Sequence, residues 1–142
     1  MTEESYKKSK YLSRYRGTDE HIKVLLKEKK EWEDRALHIT PIITGMPAAG
    51  SGGSKIESAV SKIVDLEAEI DQEVDELVKI RQEVKKAIST VGDEHLERLL
   101  EYKYIHGMTL EQIAVEMCYS FSHLMRLYIK ALSRVKTKDE IK

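Results

Sequence analysis

The residues of this 142-residue sequence whose types and spacing could do chemistry lie between positions 120 and 134. They combine hydroxyl groups, one aromatic ring, one imidazole and three cations: Ser120, Phe121, Ser122, His123, Arg126, Lys130 and Arg134. Guanidinium groups bond bidentately to guanine, hydroxyl and imidazole groups bond base edges, and cations pair with phosphates. Residues 119–138 hold five Lys or Arg and no acid, so this pattern predicts a surface that binds double-stranded DNA.

Two short helices joined by a turn are predicted to position these side chains. Thr109 and Gln112 have the spacing of a capping box, and Ser120 is a good N-cap for the second helix. Apolar residues recur on one face of each helix: Leu110, Ile113, Ala114 and Met117, then Leu124, Leu127, Leu132 and Val135. Two helices over a tight turn form a helix-turn-helix, and the start of its second helix enters the major groove.

Three residues fit this pattern less well. Cys118 stands where the turn usually has glycine, so it adopts another turn or accepts a strain of about 1–2 kcal/mol. Phe121 and Met125 are less polar than base-reading positions usually are. A phenylalanine can contact a thymine methyl group, but Phe121 can also pack against Tyr119, and both apolar residues leave room for a protein partner on the same face.

A resemblance to a known family covers most of the chain. The segment 96–135, with LLEYKYIHGMTLEQIA followed by YS and AL, resembles region 4 of sigma-70-type factors, and more closely the phage-encoded late transcription regulators of the ArpU/RinA type. YLSRYR near the start and ITPIITGMPAAGSGGSK in the middle are similar to the same family. The resemblance implies activation of phage late genes in a bacterial host, with contact to RNA polymerase. It also implies that positions 121–123 and 126 read bases.

The N-terminal part is predicted to be helical with two interruptions. A break at residues 17–19 would separate a basic arm, residues 1–16, from a helix over about 20–38 in which Trp32 is half-buried. The tyrosines of the arm either stack on bases or pack on a neighbouring helix, and packing is favoured. Residues 40–54, which contain both prolines and four glycines, are predicted to form a flexible linker.

The longest predicted helix begins at a second capping box, formed by Ser54 and Glu57. Eleven apolar residues from Ile56 to Val91 recur at a mean spacing of 3.5 residues, which indicates a coiled coil. One short helix of the same chain cannot cover this length, so we expect a homo-oligomer, most simply a dimer. Gly92 and Asp93 end the helix, and Asp93 can cap the next one.

The sequence therefore predicts an all-α protein. Residues 1–92 form a helical hairpin or coiled coil with a long helix that mediates oligomerisation, and residues 93–142 form a three-helix module containing the helix-turn-helix. A single cysteine, no signal peptide and no long apolar run predict a cytoplasmic protein without a membrane span. The five histidines show no ligand spacing and no nucleophile motif is present, so we expect no metal, no cofactor and no enzyme activity.

The function predicted from these features is sequence-specific DNA binding by a transcription regulator, with phage late-gene activation implied by the resemblance. The alternative is a protein-interaction module that docks on RNA polymerase or another host protein without reading DNA. The net charge of −1 and the apolar Phe121 and Met125 favour that alternative. A phage packaging factor ranks lowest, because its DNA-binding part more often precedes its oligomerising part.

Overall fold

A computed structural model describes residues 2–44 and 50–140, and the side chains of residues 2–38 and 55–140. The protein is all helical, which confirms the predicted fold class. The described residues form five helices: α1 (Glu3–Thr44), α2 (Gly50–Ser89), α3 (Glu94–Tyr104), α4 (Leu110–Glu116) and α5 (Phe121–Arg134). The chain divides into two compact units. We call Asp19–Glu76 the hairpin unit, and Met1–Thr18 together with Leu77–Lys142 the module unit.

Helix α1 passes through Gly17 without interruption, so the predicted break at residues 17–19 is wrong. A glycine inside a helix costs only about 1 kcal/mol relative to alanine. The turn before Gly17 is held by packing, because Leu12 is fully buried. No heavy atom lies within 4 Å of a Cβ atom built on Gly17, so no close approach requires the glycine. Tertiary packing thus outweighs the weak local signal.

Both long helices extend into the predicted linker. Helix α1 continues to Thr44, and α2 begins at Gly50, before the capping box predicted at Ser54. An N-cap contributes only about 1 kcal/mol, so a good capping residue does not oblige a helix to begin there. Residues 45–49, the middle of the predicted linker, lie outside the described residues.

The hairpin unit pairs the middle of α1 with the first half of α2. Leu25 of α1 packs with Leu66 and Ile70 of α2, and Trp32 lies half-buried against them, as predicted. Lys29 Nζ lies 3.3 Å from Glu67 Oε1 across this pair. The hydrogen bond to the Glu67 carboxylate raises the pKa of the Lys29 ammonium group, but this exposed ion pair contributes little to stability.

The module unit has one core, built from the end of α2 and the three C-terminal helices. Its fully buried large side chains include Val84 and Ile88 from α2, and Leu99 and Leu100 from α3. Residues from the last two helices and the chain after them complete it: Ile113, Leu124, Leu132 and Val135. The predicted three-helix module is therefore present, and the last turns of α2 form part of its core.

The first turns of α1 belong to the same core, which the sequence did not predict. Leu12 is fully buried there. Lys8 is only 5% exposed, and its Nζ donates a hydrogen bond to the Ser133 carbonyl oxygen at 3.2 Å, near the end of α5. A cation at the C-terminus of a helix also interacts favourably with the helix dipole. Residues 3–18 are thus a structural part of the module unit.

A buried chain of hydroxyl groups and an ion pair also hold residues 3–18 in the module unit. Ser9 Oγ lies 2.8 Å from Tyr104 OH, which lies 2.6 Å from Tyr128 OH. Burial raises the pKa of the Tyr104 hydroxyl, so this group stays protonated and able to donate. Arg14 Nη2 donates to Glu83 Oε2 at 2.8 Å, and this hydrogen bond lowers the pKa of the Glu83 carboxyl.

The compact units do not follow the predicted domain boundary at residue 93. Residues 77–92 and the start of α1 group with the C-terminal helices, because their apolar side chains share one core. The boundary at residue 93 stays a prediction about where oligomerisation and recognition divide.

Candidate nucleic-acid interface

Asp93 is the N-cap of helix α3, as predicted. The Asp93 carboxylate accepts hydrogen bonds from the backbone N–H groups of His95 and Leu96, at 3.0 and 3.2 Å. These bonds lower the pKa of the Asp93 carboxyl, and the positive charge of Arg134 lowers it further. Asp93 follows Gly92, whose φ of 79° ends the preceding turn in the left-handed region.

The link from α3 to α4 depends on Gly107. Its φ is 71°, and a Cβ atom built there would lie 2.5 Å from the Arg16 Cζ atom. The backbone conformation favours glycine here, whereas the Arg16 guanidinium lies at the end of a flexible side chain and could move away from a Cβ atom. This contact places the start of α1 beside the entry to the helix-turn-helix.

The capping box predicted at the start of α4 is present. Thr109 Oγ1 accepts from the Gln112 backbone N–H at 3.2 Å, and Gln112 Oε1 accepts from the Thr109 backbone N–H at 2.9 Å. Each side chain thus satisfies a donor that the helix leaves unpaired. Ile113 and Ala114 are buried, which fixes α4 against the core.

The turn between α4 and α5 contains Cys118, for which the sequence allowed either another turn or a strained backbone. Its φ is 60°, so a non-glycine residue occupies the left-handed conformation. The next residue closes the turn, because the Tyr119 backbone N–H donates to the Ala114 carbonyl oxygen at 2.9 Å. Cys118 therefore accepts the strain rather than adopting another turn.

Replacing Cys118 with glycine is expected to raise the free energy of unfolding by about 0.5–1 kcal/mol. Glycine removes a left-handed penalty of about 1–2 kcal/mol and loses part of that gain through the greater freedom of the unfolded chain. Urea unfolding followed by circular dichroism measures the change. Cys118→Ala is the matched control, since it removes the thiol and keeps the strained Cβ, so its stability should stay close to the wild type. A Cys118→Gly protein no more stable than Cys118→Ala would contradict the strain.

Helix α5 presents the predicted row of polar side chains to solvent. Ser120 caps it, because its Oγ accepts from the His123 backbone N–H at 3.2 Å. Leu124, Tyr128, Ala131 and Leu132 are its buried face. The seven predicted site residues are all exposed: Ser120, Phe121, Ser122, His123, Arg126, Lys130 and Arg134.

The spacing of four of these residues places them on one side of α5. His123, Arg126, Lys130 and Arg134 follow each other at intervals of three or four residues, which brings them to a single stripe. The stripe carries three cations. It is directed away from the core, because the buried residues of α5 lie on the other side of the helix. At the first end of the stripe, the His123 ring lies edge-on to Tyr119 with centroids 5.0 Å apart.

The structure adds detail to three residues at the start of α5. The Ser120 hydroxyl is engaged as the cap of α5, which limits its use for a base. Met125 is only partly exposed and packs on the module core. Phe121 keeps 46% of its surface exposed, so the alternative that it only fills the core is not what the structure has.

An apolar surface adjoins the start of α5. Phe121 and Tyr119 line a shallow pocket together with Glu111, Ala114 and Val115 of α4. Val115 is 81% exposed, the largest value among the exposed large apolar side chains of the described residues. A surface of this kind beside α5 fits contact with an apolar group better than contact with phosphate.

The N-terminal basic arm is mostly absorbed by the fold. Tyr11 and Tyr15 lie partly buried against the module core, which agrees with packing rather than stacking on bases. Tyr6 is 54% exposed, and Lys10 Nζ lies 4.8 Å from the centre of its ring. Sequence reasoning missed that Lys8 binds the end of α5, and no residue pattern around position 8 could have revealed this contact.

Metal-binding groups and membrane-spanning helices are both absent from the described residues. No group of three or more His, Cys, Asp or Glu side chains in residues 2–38 and 55–140 is arranged to hold a metal ion. Within the described ranges, no helix has the length and apolar content that crossing a membrane requires.

Comparison with known proteins gives one match. A family model described as "Protein of unknown function (DUF1492)" matches residues 46–136, a range that contains α2 to α5. Neither the curated proteins nor the solved structures contain a match to the chain.

Proposed function

The chain belongs to the DUF1492 family, whose model spans its α2 to α5, and from the geometry of α5 we propose that the protein is a DNA-binding transcription regulator. The carrying observation is the exposed stripe of Arg126, Lys130 and Arg134 on the second helix of a helix-turn-helix. A helix of this kind fits the major groove of B-DNA. The absence of any acid between residues 119 and 138 favours approach to phosphates.

Each side chain has a part in this proposal. Arg126, near the start of α5, bonds guanine bidentately, and Ser122 and His123 bond neighbouring bases or phosphates. Lys130 and Arg134, further along α5, pair with phosphates and set the register of the helix. Phe121 contacts a thymine methyl group, while Ser120 mainly holds the helix start in place.

The biological setting comes from resemblance. The C-terminal module resembles region 4 of sigma-70-type factors, and the whole chain resembles the phage late regulators of the ArpU/RinA type. We therefore propose activation of phage late genes in a bacterial host, with contact to RNA polymerase. The helices of residues 1–92 would pair two copies, so that two modules bind two half-sites.

A salt-titrated binding assay tests the proposal. The full chain is used to select duplexes from a random DNA library, and the affinity of a selected duplex is measured between 50 and 200 mM salt, the usual range for such titrations. The affinity is expected to fall with a log–log slope of about −0.9 for each phosphate contacted. Selection of no sequence, together with no binding at the lowest salt, would overturn the proposal.

A second candidate function is docking on a protein, and the exposed Val115 and Phe121 favour it. In that case the module binds RNA polymerase or another host protein and does not read DNA. A host protein retained by the wild type and lost by Val115→Glu, with DNA binding absent in both, would select this function.

A further inference from the structure

A second face of α2 in the hairpin unit is exposed although it is apolar. Val60, Val64 and Val74 are 48%, 56% and 40% exposed, and they lie on the same helix as the buried Leu66 and Ile70. The residues that pack on α1 are thus different from these valines. A helix that is apolar on two faces has one face left over after the hairpin has formed.

The exposed valines have the spacing of a helix-docking seam. Positions 60, 64, 67, 71 and 74 follow each other at intervals of four, three, four and three residues. This alternation is the heptad pattern with which one helix packs along another. The two positions in the middle of the seam are Glu67 and Asp71, and both are exposed. The seam therefore has apolar ends and an acidic centre.

The charge around the centre of the seam is negative, whereas Lys62 lies between Val60 and Val64 at its first end. Residues 63–76 hold seven acids and no Lys or Arg. Lys29 of α1 pairs with Glu67 from the side of the hairpin. Asp71 is exposed and makes no ion pair in the described part of the chain, so its carboxylate is available to a partner.

The charges of Glu67 and Asp71 distinguish between the possible partners of the seam. A second copy that is parallel and in register would bring its own Glu67 and Asp71 against the same two residues, and an antiparallel copy centred between these residues would bring Glu67 against Asp71. Like charges at such positions are destabilising. DNA is repelled for the same reason. A helix with cations opposite the acidic centre removes the conflict and covers the valines.

We propose that this seam of α2 binds a basic amphipathic helix of another protein. The partner helix carries apolar residues opposite Val60, Val64 and Val74, and Lys or Arg opposite Glu67 and Asp71. The binding mode is a helix laid along an exposed helical face, with apolar anchors for affinity and charge pairs for the choice of partner. This inference uses the hairpin unit alone and is independent of DNA binding by α5.

Two synthetic helical peptides of about three heptads test it. Both carry leucine at the outer seam positions, and they differ only at the two central ones, which are Lys in the first peptide and Glu in the second. The full chain should bind the Lys peptide and not the Glu peptide in a fluorescence anisotropy titration. Val64→Glu should weaken this binding about tenfold or more. Val24→Glu, at a 64% exposed position of α1, is the control and should leave binding unchanged.

A charge reversal distinguishes specific binding at this seam from nonspecific hydrophobic binding. Asp71→Lys should lower the affinity for the Lys peptide and raise it for the Glu peptide. Equal binding of both peptides by the wild type, or binding of neither, would overturn the proposal. A wild-type dimer that Val64→Glu dissociates would overturn it as well, because the occupant would then be a second copy. Circular dichroism of each variant verifies that the helices have formed.

Discussion

Replacing Leu12 with alanine is expected to lower the free energy of unfolding by about 2–5 kcal/mol. Leu12 is fully buried in the module core, although it lies 68 residues before Ile80, the next core residue along the chain. The substitution removes apolar atoms and leaves a cavity, and both effects are unfavourable. Urea unfolding followed by far-ultraviolet circular dichroism measures the change.

The matched control for Leu12 lies on the same helix. Leu26 is 47% exposed, so Leu26→Ala should change the free energy of unfolding by less than about 0.5 kcal/mol. Equal, small effects of the two substitutions would mean that the start of α1 is not part of the module core in solution. A large effect of Leu12→Ala alone supports the contact.

Arg126→Ala is expected to lower the affinity for a selected duplex by about five- to 150-fold, which corresponds to about 1–3 kcal/mol for one bidentate base contact. Its effect should also depend on sequence: the variant should lose its preference at one base pair and keep its affinity for random DNA. Competition with duplexes that differ at single positions measures both. The substitution removes an exposed side chain, so the fold should be unaffected.

Two control variants show whether the effect of Arg126→Ala comes from a base contact. Lys130→Ala should weaken binding to every duplex alike and reduce the salt slope by about 1, because a phosphate contact carries no sequence information. Arg98→Ala on α3 removes an exposed cation outside α5 and should leave DNA binding unchanged. If Arg126→Ala leaves DNA binding unchanged, as Arg98→Ala should, the stripe of α5 does not bind DNA.

The parts of the fold that the sequence predicted correctly depend on neighbouring residues. The capping box of Thr109 and Gln112 and the N-caps Asp93 and Ser120 are local arrangements, so the residue types reveal them directly. The exposed stripe of α5 follows from the same logic, since caps fix where the helix begins and the apolar residues fix which side is buried.

The errors arose where distant packing outweighs local preference. Gly17 suggested a break, yet the burial of Leu12 stabilises the helix before it. The contacts of Lys8 with Ser133 and of Ser9 with Tyr104 join positions far apart in the chain, and no residue pattern around position 8 announces them. The conformation of Cys118 was not an error but was left open between two alternatives, because a cysteine at φ 60° is uncommon and only the surrounding turn requires it.

The hydrogen bond between Lys8 and Ser133 spans 125 residues, and this separation has a consequence for synthesis on the ribosome. The first turns of α1 leave the ribosome long before their partners in α3 and α5 exist. Residues 19–76 form a compact unit from one continuous segment, so the hairpin unit can fold while the rest is still being translated. The module unit must wait until Val135 has emerged, since that residue completes its core. The contacts of the start of α1 raise the contact order of this unit, so it should fold more slowly than α3 to α5 would without them.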